Sequence, residues 1–120
     1  MDGAAGGVSA QLVLRGGIDL LNHRRIIGWA WDPGAPHVPV PILVVIERRV
    51  LGRVLADLYR EDLAAQGFGT GRCGFALDLP AELLSLRQGY EISVRREGDG
   101  VHLPGSPYVL DPLIRVVREE

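Results

Sequence analysis

Trp29 and Trp31 are the residues whose type and spacing most directly suggest a chemistry. They lie two apart in a run that reads as a strand, and alternate strand residues share a face. Two indole rings side by side would make a stacking surface for sugars, whose C–H faces suit the electron-rich faces of aromatic rings. The competing reading makes both rings core anchors. The chain has only two tryptophans, three tyrosines and two phenylalanines, and a small domain needs its large side chains inside. That inventory favours the core for both, more strongly for Trp29 than for Trp31 beside its loop.

The other reactive types fall into bland contexts. His23, His37 and His102 follow no metal-ligand spacing, and each is expected to be solvated at a turn or strand end. Asp32 and Asp57 suit turn or cap hydrogen bonding better than a calcium loop. Cys73 shares strand parity with Phe75 and is expected inward as a small hydrophobe. Neither a Gly-x-Ser-x-Gly elbow nor a Ser/His/Asp context is found. Gly67–Gly71 contains Gly-x-Gly-x-Gly, but a helix precedes it and a strand follows, the reverse of a dinucleotide loop. Arg60 and Asp62 form the most interesting polar pair. A tether across the crossover is the favoured reading, and contact with a ligand carboxylate is the other. The candidate ligand-contacting residues are therefore Trp31, Asp32, His37, Arg60 and Asp62. No catalytic residue, metal ligand or cofactor is expected.

Composition narrows the partners. All thirteen basic residues are arginine, which removes Schiff-base and Walker-type lysine chemistry. A net charge of −2 gives no long-range pull on nucleic acid. No run approaches the roughly 18 apolar residues of a membrane-spanning helix. Residues 1–10 lack the basic start and apolar stretch of a signal peptide, so the expectation is a cytoplasmic protein or a piece of a longer chain.

The elements that must position these residues are short apolar runs punctuated by sixteen glycines and eight prolines. The division expected is a disordered start at 1–7, a β-domain at 8–112 and a tail at 113–120. Val8–Arg15 reads as an edge strand or ordered arm, broken by Gly16-Gly17. In Ile26–Asp32, Ile27, Trp29 and Trp31 share a bulky face, while Ile26, Gly28, Ala30 and Asp32 share a nearly bare one. Something must pack closely against the bare side. The loop through Pro33, Pro36, Pro39 and Pro41 is stiff and non-helical. Pro41–Glu47, with five consecutive apolar residues, reads as a central strand, and Arg48-Arg49 as a hairpin tip into Val50–Ala56.

Asp57–Gln66 reads as the one helix, with Asp57 as its cap and Gly67 at the left-handed position after it. Arg72–Leu79 alternates with Cys73, Phe75, Leu77 and Leu79 inward, and Pro80–Ser85 is a single turn. Tyr90–Arg96 and Val101–Leu103 flank the turn Gly98-Asp99-Gly100, Tyr108–Leu110 is a last strand, and Leu113–Glu120 is a further strand or exposed helix. The count is six to eight short antiparallel strands with one short helix and no βαβ unit. An all-β antiparallel β-sandwich is the expected fold, with a small barrel second.

Gly28-Trp29-Ala30-Trp31-Asp32-Pro33 resembles the signature of a bacterial β-sandwich module. The resemblance continues through the Pro36–Pro41 loop and the Pro41–Arg49 strand and hairpin, where Arg48-Arg49 stands in place of Asp-Gly. It also takes in Ala56-Asp57 with Arg60, Asp62 and Leu63, then Gly69, Gly71, Gly74-Phe75 and the Pro104–Pro107 loop. Modules of this kind are often appended to glycosyltransferases and other cell-surface polysaccharide proteins. The resemblance implies a non-catalytic module whose partner is a protein or a glycan, and it supplies no ligand residues. A contact surface could be a strand edge used for β-augmentation or the Pro33–Pro41 loop end. The apolar ends Val8–Leu14 and Leu113–Val117 add a second expectation, a structural subunit of a homo-oligomer or larger assembly.

Overall fold

A computed structural model describes residues 13–114. Alternation of apolar and polar residues produces eight strands among them: β1 (Arg15–Leu21), β2 (Arg25–Trp31), β3 (Val40–Ile46), β4 (Arg49–Ala56), β5 (Leu58–Tyr59), β6 (Arg72–Asp78), β7 (Tyr90–Arg96) and β8 (Tyr108–Leu110). One short helix, α1 (Glu61–Ala65), interrupts them. The strands form two antiparallel sheets of four, ordered β1-β2-β6-β5 and β4-β3-β7-β8. Their inner faces pack together as an all-β sandwich, the fold expected from the punctuation pattern.

The core sits between the sheets and is built from Ile26 and Ala30 of β2, Phe75 of β6, Ile42 and Val44 of β3, and Ile92 and Val94 of β7. The bare face of β2 is the core face. A side chain at Gly28 would meet the Gly17 carbonyl at 2.4 Å and Phe75 Cζ at 3.0 Å, so Phe75 occupies the space that Gly28 leaves. Because successive residues alternate, this choice sends Trp29 and Trp31 outward, and both are half-buried on the outer face of the first sheet. The expectation that they anchor the core is therefore overturned. Phe75, 1 % exposed, takes that place.

Three other boundaries differ from expectation. The Gly16-Gly17 pair does not break a strand: β1 begins at Arg15 and runs through both glycines. A Cβ at Gly16 would approach the Trp29 carbonyl to 2.5 Å and Leu103 Cδ1 to 2.7 Å, so glycine there permits close packing. Of the expected Val8–Arg15 strand, Val13 is exposed and Leu14 enters the core, both before β1 begins at Arg15, and residues 8–12 lie outside the described residues. Asp57 is not the helix cap. Leu58–Tyr59 first pairs with β6, and α1 starts after Arg60 with no side-chain cap. Finally, Val101–Leu103 folds back on β7 through a single Arg95–His102 bridge rather than as a strand.

Other expectations hold closely. Tyr90–Arg96 and Tyr108–Leu110 are strands over those residues, and Ala81–Leu83 forms a single 3-10 turn after Pro80. β3 is central, between β4 and β7. The β3–β4 hairpin turns at Glu47-Arg48, one residue before the expected Arg48-Arg49 tip because Arg49 already pairs with Ile46, and Glu47 takes the left-handed conformation (φ 55°) that glycine or asparagine more often supplies. His23, expected to be solvated, is only 3 % exposed. Its Nε2–H donates to the Gln88 carbonyl at 3.1 Å, and its ring meets the edge of Tyr90.

The packing makes a direct prediction. Phe75→Ala should lower unfolding stability by about 3–5 kcal/mol through the cavity it leaves. Gly28→Ala should cost about 1–3 kcal/mol because the added methyl meets backbone. Urea unfolding of both variants checks this. A neutral Gly28→Ala would contradict the close β1–β2–Phe75 approach.

Candidate functional site

The outer face of the first sheet carries an aromatic platform. In the register of the sheet, Trp29 lies between Gly17 of β1 and Gly74 of β6, so neither flanking position on that face carries a side chain. Trp31, two residues on, continues the row. A third ring comes from the end of α1. Gly67 adopts φ 87°, its N–H bonds the Ala64 carbonyl and the Phe68 N–H bonds the Leu63 carbonyl, both at 3.1 Å. This Schellman pattern stops the helix and delivers Phe68 onto the sheet. The Phe68 ring centroid lies 4.6 Å from that of Trp29, tilted by 42°, and 5.4 Å from that of Trp31 at 68°. Both separations fall in the favourable range for offset or edge-to-face aromatic pairs. The Arg15 guanidinium covers Phe68 at 5.1 Å from the centroid, and the Trp31 indole N–H donates to the Pro36 carbonyl at 3.2 Å. Trp31 is thus held in place. Trp29 Nε1 has no hydrogen-bond partner among the described residues.

Arg60 borders the platform. Its methylene stem covers Gly74, where a Cβ would stand 2.8 Å from Arg60 Cδ. The guanidinium then grips Asp62 through two bonds, Nε–H to Oδ1 at 3.0 Å and Nη2–H to Oδ2 at 2.7 Å, and Asp19 of β1 through Nη1. The Asp62 and Asp19 hydrogen bonds push the Arg60 pKa up, and the Arg60 hydrogen bond holds the Asp62 carboxyl below the usual carboxylate range. Arg60 therefore ties the β5–α1 crossover to the opposite edge strand. The partner in β1 was not legible in the sequence.

A cleft of about 160 Å³ adjoins the platform at one end of the sandwich. Trp31 and Phe68 belong to both, and the remaining walls include His37 and Pro39 of the β2–β3 loop, Thr70 and Arg72. His37 is exposed at this opening. The buried Cys73 also lines it, and burial raises its thiol pKa, which keeps the thiol protonated.

Asp32 does not join this constellation. By strand parity it points toward the second sheet. Its Oδ1 accepts the Gly34 N–H at 2.8 Å, and its Oδ2 pairs with Arg96 Nη1 of β7 at 3.1 Å. Arg96 also holds Asp99 through two bonds, which raise the Arg96 pKa and lower that of Asp99. The structure thus brings together Trp31, His37, Arg60 and Asp62 around the platform and cleft, and places Asp32 in an inter-sheet tie. Sequence reasoning missed Phe68 as a site residue. Its position just past the glycine of a helix end was the available signal.

No family model, curated protein or solved structure matches this chain.

The two depressed carboxylates set the acid response. A group whose folded pKa lies below its unfolded value contributes stability above the unfolded value, and that contribution disappears as pH falls through the folded value. The Asp62 and Asp99 contributions should therefore be intact at neutral pH and fade below about pH 4, the ordinary carboxylate range. Thermal unfolding from pH 7 to pH 2 checks this. Asp99→Asn should lower the midpoint at neutral pH and converge with the wild-type protein at the acid end. A constant gap across the range would contradict the assignment.

Proposed function

We propose that this chain is a non-catalytic binding module that engages a glycan through the outer face of its first sheet. The observation that carries the reading is the Trp29–Phe68–Trp31 platform. Three aromatic rings stand half-buried on a sheet face, Trp29 flanked by Gly17 and Gly74 and Trp31 by Arg15, with polar groups at the rim. The outward parts of these half-buried rings can accept the C–H face of a pyranose, and rim groups such as Arg60, Asp62 and His37 can meet its hydroxyls.

The charge arrangement supports a binding rather than a catalytic role. Arg60 and Arg96, each gripping an aspartate through two bonds, hold Asp62 and Asp99 ionised at neutral pH, and a carboxylate so held is a poor proton shuttle. The resemblance of Gly28–Pro33 and the segments after it to modules of bacterial glycosyltransferase and surface-polysaccharide systems supplies the context. In that setting the module would position a larger enzyme on its polymer.

Calorimetric titration with a panel of linear oligosaccharides tests the reading. Trp29→Ala and Trp31→Ala should each weaken binding at least tenfold, as expected for central aromatic anchors, while the fold persists. Absence of binding across the panel, or binding indifferent to both substitutions, would refute it.

A second reading is favoured by a different surface. Val109, 72 % exposed, and Leu113, 67 % exposed, leave apolar area open near the end of the described chain, which suits contact with another copy or a larger assembly. Light scattering should then report an oligomer that Val109→Asp dissociates. A monomer at all concentrations would exclude it.

A further inference from the structure

Resting on the glycan reading of the platform, we propose that the cleft beside Trp31 receives the N-acetyl group of an amino sugar in the bound chain. Size is the first argument. Whole-ligand pockets run to roughly 300–1,000 Å³. This cleft, at about 160 Å³, suits a substituent instead of a sugar ring. It opens next to the platform because Trp31 and Phe68 line both, so a ring stacked on the indole could direct a side group inward.

The lining supplies the second argument. Val38 and Pro39, both exposed, join the half-buried Trp31 and Phe68 rings to make an apolar wall suited to a methyl group. Apart from the buried Cys73 thiol, Thr70, Arg72, Asp57 and His37 are the ionisable and hydroxyl groups of the cleft, and among the described residues none of these four side chains makes a hydrogen bond or an ion pair. Arg72 and Thr70 are donors, and the Asp57 carboxylate is an acceptor. An amide satisfies both kinds of group at once. Its carbonyl accepts from Arg72 or Thr70, and its N–H donates to Asp57. A carboxylate substituent would face Asp57 unfavourably, and a bare hydroxyl would leave the apolar wall empty.

Titration of the full chain with chitotetraose and with cellotetraose tests the proposal, because the two β-1,4 chains differ at the C2 substituent. Chitotetraose should bind at least tenfold more tightly, a difference of about 1.4 kcal/mol and within the range of one charge-assisted hydrogen bond. Arg72→Met and Thr70→Val, both at exposed positions, should narrow that preference while leaving cellotetraose affinity unchanged. Arg48→Ala, in the β3–β4 turn, should alter neither. Equal affinity for the two chains, or a preference that survives Arg72→Met and Thr70→Val together, overturns the cleft assignment and leaves the platform standing. Binding of neither chain overturns the cleft assignment, and the oligosaccharide panel then decides the platform.

Discussion

The close approach of Phe75 to the glycine face of β2 is the contact from which the rest of this molecule follows. Gly28 has no side chain, so the inner face of β2 can admit a phenylalanine ring from β6, the neighbouring strand, directly over the backbone. Strand alternation then leaves only one place for Trp29 and Trp31, the outer face. A larger residue at position 28 would expel Phe75 and remove the reason for the tryptophans to face outward. The platform is therefore a consequence of how the core is filled.

Two arginines hold the periphery around that core by the same device. Arg60 joins the β5–α1 crossover to Asp19 on the far edge of the first sheet, and Arg96 of the second sheet joins Asp32, just past the end of β2, to Asp99. These pairs are partly exposed, so each adds only modestly to stability. Their larger effect is geometric. Arg60 lies flat across Gly74 and fixes one rim of the platform, while the Asp32–Arg96 tie sets where the proline-rich loop leaves β2 and so where Pro36 meets Trp31.

Much of the fold was legible along the chain. Alternation in Arg72–Leu79 and Tyr90–Arg96 marked strands, the apolar run at Pro41–Glu47 marked a central one, and Gly67 marked the helix end. These signals are local, since each depends on the spacing of a few neighbours. The Gly16-Gly17 pair was misread because glycine stops a strand in one setting and permits close packing in another, and only the partner across the sheet distinguishes the two. Asp57 was misread for a similar reason. Its type suits a cap, but pairing of Leu58–Tyr59 with β6 moved the helix start past it.

The site was legible in pieces. Residue types and parity put Trp29 and Trp31 on one face and singled out Arg60 with Asp62, and no arrangement beyond the chain's own neighbours was needed for either. Which face of β2 would be buried was another matter. The scarcity of aromatics favoured the bulky face, yet a glycine face can be filled by a ring from elsewhere, and Phe75 lies 47 residues further along the chain. Phe68 reached Trp29, and Asp19 reached Arg60, through contacts of the same long-range kind. The sequence by itself determined the strands, their alternation and the chemistry available on each face. The tertiary structure decided which face met the core, because burial depends on the shape a distant segment brings to it.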